Sequence, residues 1–170
     1  MPMRRMSDDY TAFFRSEYER VVRTVQLVIG EHEAALDIAQ EAFTRLYRNW
    51  TRISRYEQPD ACVRRIAINL AISHVRRRRV QERALRLLVP ETPQAAPIDA
   101  GDVVAAVRRL PPAQRAATVL YYFEDQPSSE IARILGCSES TARVHLHKAR
   151  SKLARMLDVP DGTRSFDVTR

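Results

Sequence analysis

Apolar residues recur at three- and four-residue steps through most of the chain, and the strict alternation that marks a half-buried strand is missing. Phe13, Phe14, Tyr18, Val21, Val22, Val25, Val28 and Ile29 predict a first helix with a broad apolar side, ended by Gly30. Leu36, Ile38, Ala39, Ala42, Phe43, Leu46, Tyr47 and Trp50 predict a second, from about Glu33 to Trp50. A third begins near Pro59, a residue favoured in a first helical turn, and runs through Val63, Ile66, Ala67, Leu70 and Val75 into Arg76-Arg77-Arg78-Arg79. Three or four helices therefore fit the N-terminal part. From Val89 to Gly101 three prolines forbid a regular helix and the acidic residues stand unopposed, which marks a linker.

Beyond it, Ile131, Ala132, Ile134 and Leu135 give a short helix one apolar face, and Val144, Leu146, Ala149, Leu153 and Leu157 mark the inner side of a longer one. Between them, Gly136 supplies a left-handed end and Ser138 a side-chain cap. The stretch Leu110–Leu153 thus reads as a helix-turn-helix. Arg143, His147, Lys148, Arg150 and Lys152 project from its second helix, with Thr141, Arg143 and Val144 in the early turns where a recognition helix meets base edges. A solvated basic face on an ordinary helical hairpin is the bland alternative.

Charge strengthens the nucleic-acid reading. The 170 residues carry 28 Lys and Arg against 21 Asp and Glu, a net charge of +7. Residues 1–89 hold 17 basic and 11 acidic residues, 90–106 hold three acidic and no basic ones, and 107–170 hold 11 basic and seven acidic ones. Both modules are cationic, and the acidic linker could follow a basic groove on a partner or shield one module. Four successive arginines, with Arg64 and Arg65 on the same helix, suit contacts to DNA phosphates better than plain solubility or a helix C-terminus requires. The loop Arg52–Gln58 offers Tyr56 either to an unstacked base or to the core.

Other chemistries find little support. No apolar run approaches the roughly 20 residues needed to span a bilayer, and Met1–Met6 shows no signal-peptide pattern, so a cytoplasmic protein is expected. Cys62 and Cys137 lie far apart without metal-ligand spacing, and each reads as a small packing residue. His32, His74, His145 and His147 form no ligand constellation, and the pair on the second helix of the hairpin is expected to face DNA or solvent. Asp8 with Asp9, or Glu31 with Glu33, lack a third ligand in a recognisable spacing. No metal, cofactor or enzymatic activity is expected.

Three motifs in order carry a family resemblance. Asp37-Ile38-Ala39-Gln40-Glu41-Ala42-Phe43, continued by Arg45-Leu46-Tyr47-Arg48-Asn49-Trp50, resembles the polymerase-binding helix of sigma region 2. Val63–Ala71 and the trailing arginines resemble the promoter-melting helix, and the stretch from Leu110-Pro111 onward resembles sigma region 4. From about Phe13 to Leu157 the chain is similar to the extracytoplasmic-function (ECF) sigma factors of the bacterial sigma-70 family. The resemblance implies an all-α protein of two small helical domains joined by a flexible linker: region 2 over 1–89, an acidic linker over 90–106, region 4 over 107–158, and a short polar tail over 159–170.

It also implies partners and roles. Region 4 would read the duplex minus-35 element with Thr141, Arg143, Val144, His147 and Lys148 near the bases and Arg150 nearer phosphate. Region 2 would hold the melted minus-10 strand with Ser54, Arg55 and Tyr56 around a flipped base, Arg65 and Asn69 beside it, and Arg76, Arg77, Arg78 and Arg79 on the backbone. Core RNA polymerase would dock on Asp37, Gln40, Glu41 and Phe43, of which the polar members share a helical stripe with Thr44. The family frequently adds an anti-sigma factor, which nothing in this sequence identifies. The chain departs from its relatives at Cys62, where a bulky aromatic is common, at Ser73 in place of an acidic residue, and at Ala142 and Val144 on the recognition helix. The alternative function is a helix-turn-helix regulator that never recruits polymerase.

Overall fold

A computed structural model describes residues 2–55, 58–88 and 102–157. Eight helices, and no strand, are present among them: α1 Pro2–Ile29, α2 His32–Arg48, α3 Trp50–Ile53, α4 Pro59–Leu88, α5 Val103–Arg109, α6 Pro112–Tyr122, α7 Ser128–Leu135 and α8 Glu139–Met156. None of these is long and apolar enough to cross a membrane.

The N-terminal module is built by α1, α2 and α4 packed on one another, with the single turn α3 beneath α2. Val21, Val22, Val25 and Val28 of α1 meet Ala35, Ala39, Ala42, Phe43 and Leu46 of α2 and Val63, Ala67, Ile68, Ala71 and Val75 of α4. Small residues dominate the inner face of α2, which lets the three helices approach closely. Gly30 ends α1 at a φ of +90°, a left-handed conformation that an L side chain rarely adopts. The second helix breaks earlier than its apolar pattern predicts: Asn49 leaves helical geometry, and Trp50 starts a new turn with its ring buried. Helix α4 instead continues well past the arginines, leaving Val80, Leu85 and Leu87 exposed on its last turns.

In the C-terminal module α8 packs against α6 and α7, and α5 braces α6 and α8. Helix α5 takes Val103 to Ala106, residues that the sequence assigns to the linker, because Asp102 caps it by accepting a hydrogen bond from the Ala105 amide at 2.8 Å. The Pro-containing remainder of the linker and the tail from Asp158 lie outside the described residues.

The modules are not separate bodies. Helices α6 and α7 lie against α1 and α4, and one continuous apolar core includes residues of both halves. Arg115 of α6 is buried at this junction, donating to the carbonyls of Val28 at 2.7 Å, Leu110 at 3.3 Å and Arg108. Burial, and then the charges of Arg79 and Arg108, pull its guanidinium down to about 10. Arg79 of α4 donates to the same Leu110 carbonyl at 2.8 Å. Both arginines thus hold the entrance to α6, whose Pro111 and Pro112 leave no amide to compete.

Candidate nucleic-acid interface

The helix-turn-helix turn is specified by two residues. Gly136 ends α7 at a φ of +67° with open space around its missing side chain, so backbone conformation rather than crowding calls for glycine. The Cys137 amide closes α7 onto the Ala132 carbonyl at 3.0 Å. Ser138 then caps α8, its Oγ accepting from the Thr141 amide at 3.1 Å. Ser138→Ala is expected to cost about 1 kcal/mol. Thermal unfolding followed by circular dichroism checks this, and an unchanged midpoint would contradict the capping role.

Ala142, Leu146 and Ala149 turn α8 toward the core. Thr141, Arg143, Val144, His147 and Lys148 are exposed on its other side. Val144, at 47% exposure, is therefore a surface residue and not part of the inner side of α8: two positions before Leu146, it is rotated roughly 200° around the helix from it. Arg143 is held by an ion pair to Glu139 one turn earlier. Arg150 lies over the rings of Tyr121 and Tyr122, at 5.3 and 5.8 Å from their centroids, and its Nε donates to the Tyr122 hydroxyl at 2.8 Å. That clamp fixes its direction while leaving its other donors open to an anion. His145 turns inward, half-buried, and does not face DNA or solvent as expected; burial, and then Lys148, hold its imidazole below the usual histidine range.

On α4, Arg65, Asn69, Ser73 and Arg77 follow one another at four-residue steps and are all exposed, with Arg76 beside them. Arg64 points elsewhere. It is only 7% exposed, lies 3.5 Å from Asp60 and 4.0 Å from Glu124, and is not free for a phosphate in this arrangement. The run of four arginines also divides. Arg78 is paired with both Glu31 and Glu82, and Arg79 is committed to the Leu110 carbonyl, whereas Arg76 and Arg77 show no ion pair among the described residues. Ser54 and Arg55 are exposed just beyond α3. Tyr56 lies outside the described residues.

Helix α2 exposes Asp37, Gln40, Glu41 and Thr44 in a stripe, with Glu41 paired to Arg45 at 2.7 Å. Phe43, also expected on the docking surface, is only 1% exposed among Phe13, Phe14 and Tyr18 and supports the helix from within. A shallow groove of about 570 Å³ flanks the stripe, lined by Tyr10, Thr11, Phe14 and Tyr18 of α1 together with Gln40, Phe43 and Thr44 of α2. Sequence reasoning missed the share of α1, because a mixed aromatic face reads equally as core. Among the described residues, no three His, Cys, Asp or Glu side chains gather as a cation would need.

The sigma-70 region 2 pattern matches residues 13–81, and the sigma-70 region 4 pattern matches residues 100–153. Together they take in well over half the chain, in the order in which the two modules occur. The chain belongs to the sigma-70 family. Within it the protein is an ECF RNA polymerase sigma factor. It is 27% identical over 157 residues to the RNA polymerase sigma-E factor of Streptomyces coelicolor, covering 90% of this chain and 88% of that one. With the ECF sigma factor SigM of Mycobacterium tuberculosis it shares 27% identity, over 87% of this chain and 76% of the relative. With SigE of Mycolicibacterium smegmatis the identity is 31%, over 82% and 58%. Its fold is similar to that of the sigma factor RpoE of Bartonella quintana, solved with the anti-sigma factor NepR, at a TM-score of 0.70 and 20% identity over 89% of this chain and 98% of that one.

Proposed function

We infer that this sigma factor directs promoter-specific initiation by a grip at two points. Helix α8 enters the major groove of the minus-35 element, with Arg143, Val144, His147 and Lys148 at the base edges, Thr141 at the helix start and Arg150 on a phosphate. The exposed face of α4 follows the opened minus-10 strand: Arg65 and Asn69 lie beside the bases, and Arg76 and Arg77 bind the backbone. Ser54, Arg55 and Tyr56 flank the flipped base. Extruding a base costs a few kcal/mol, which stacking and phosphate contacts offset. Core RNA polymerase docks on Asp37, Gln40 and Glu41 and performs the bond-making chemistry itself.

The observation that carries this reading is the coexistence, in one chain, of two exposed cationic helix faces on different modules and a separate polar stripe on α2 that faces neither core. An anti-sigma partner, as NepR is for the Bartonella relative, would act by covering the α2 and α4 surfaces. Co-elution of the purified chain with sigma-free core polymerase tests the docking. A one-to-one complex is expected, and Asp37→Ala is expected to weaken it about tenfold, a loss of about 1.4 kcal/mol, with unchanged helicity. Retention of promoter DNA without any complex with polymerase would favour a stand-alone regulator.

A further inference from the structure

The loop after α6 places one carboxylate deep between the modules. Glu124 has a side chain only 8% exposed and receives the Arg20 Nε of α1 at 2.7 Å. Its other oxygen is hydrogen-bonded to the Thr24 hydroxyl, and the Arg64 Nε of α4 lies 4.0 Å away. Thr24 and Arg64 are themselves buried, so three polar groups of region 2 converge on a single acidic side chain of region 4. The Gln126 side chain donates to the Glu124 carbonyl at 2.8 Å and fixes the loop. A buried carboxylate is tolerated only where it is paired, and this one finds Arg20 and Thr24 about a hundred residues away in sequence.

We propose that the contact of Glu124 with Arg20, Thr24 and Arg64 is a latch that holds the free sigma factor closed, and that engaging both promoter elements requires it to open. This rests on the two-point grip inferred above. Elements centred 35 and 10 base pairs upstream of a start site lie about 25 base pairs apart, or about 85 Å of duplex. A compact chain of this length is about 40 Å across. The closed arrangement therefore cannot place α8 and α4 on both elements at once. The 13 residues 89–101 would add up to about 45 Å if extended, which suffices once the modules part. Closure leaves the outer face of α8 exposed but commits Arg64 and Arg79 of α4 to region 4. Opening returns both to the helix that binds the melted strand, so release and strand capture are coupled. A closed population lowers apparent affinity for a promoter carrying both elements by the fraction of molecules that are open.

Small-angle scattering of the full chain, without polymerase or DNA, reads the latch directly. The wild type should be compact, and Glu124→Arg, which sets a cation against Arg20 and Arg64, should enlarge the radius of gyration by several ångströms with unchanged helicity. Adding Arg20→Glu to that variant should restore compaction, which a merely misfolded protein would not show. In a titration of the complex with core polymerase against promoter DNA carrying both elements, Glu124→Arg should bind at least threefold more tightly than wild type. A wild type already as extended as the variant, or a variant that stays compact with unchanged affinity, would overturn the latch. Failure of the sigma-factor reading is distinguishable, since it removes the complex with polymerase and leaves the scattering result intact.

Discussion

Phe43→Ala is expected to lower the stability of the protein by about 3–5 kcal/mol, the range for truncating a large buried aromatic. The ring lies 4.9 Å from Phe14 and 5.7 Å from Tyr18, and the backbone carbonyl of the same residue accepts from the Tyr10 hydroxyl at 2.9 Å. Removing it leaves a cavity where α1 and α2 meet, and packed helices collapse into such a space only in part. Urea unfolding monitored by far-ultraviolet circular dichroism measures the loss. The same variant separates support from contact. In buffer where it remains folded, it should bind core polymerase within a few fold of wild type, because the ring is almost wholly buried. Asp37→Ala should show the converse, losing binding at undiminished stability. A Phe43→Ala protein of normal stability that fails to bind polymerase would return Phe43 to the docking surface.

Arg143→Ala is expected to remove about 1–3 kcal/mol of discrimination between a minus-35 sequence selected by the wild-type protein and unrelated duplex, roughly a 5- to 150-fold loss. In the closed, unbound chain Arg143 is paired with Glu139 on an exposed turn, a weak interaction that a bidentate contact to guanine would replace. Fluorescence anisotropy at fixed salt measures both affinities. Arg150→Ala should behave differently, weakening all duplexes alike and lowering the salt slope by about one, since a clamped phosphate contact carries no sequence information. Equal effects of the two substitutions on selected and unrelated DNA would contradict the assignment of Arg143 to base edges.

What was legible beforehand was mostly local. Gly136 and Ser138 announce the turn of the helix-turn-helix because a left-handed end and a side-chain cap each depend on one residue. The polar stripe Asp37, Gln40, Glu41 and Thr44 follows from helical spacing alone. Phases within a helix were harder. Arg64 and Arg65 are neighbours in a basic helix, yet a rotation of about 100° puts one in the module junction and the other in solvent. Val144 reads as inner by its chemistry and is outer by its phase. Least legible were the long-range pairings. Nothing near Arg78 or Arg79 in sequence announces Glu31 or the Leu110 carbonyl, and Glu124 looks like an ordinary loop acid until Arg20 and Thr24 are brought to it by the packing of α6 on α1. Two modules and a linker were expected, but their closure on each other was not, since an interface shared by two amphipathic surfaces has the same sequence signature as the edge of either core.

On the function proposed above, this chain places a polymerase on promoters and does not merely occupy DNA. Sequencing the 5′ ends of transcripts made in vitro by sigma-free core polymerase, with and without the purified protein, tests it most directly. Transcripts are expected only when the protein is added, starting at discrete positions that share one upstream pair of elements, with the upstream element losing its influence when Arg143 is replaced by alanine. Transcription that is unchanged by the protein, while the protein still retains the same DNA, would contradict it.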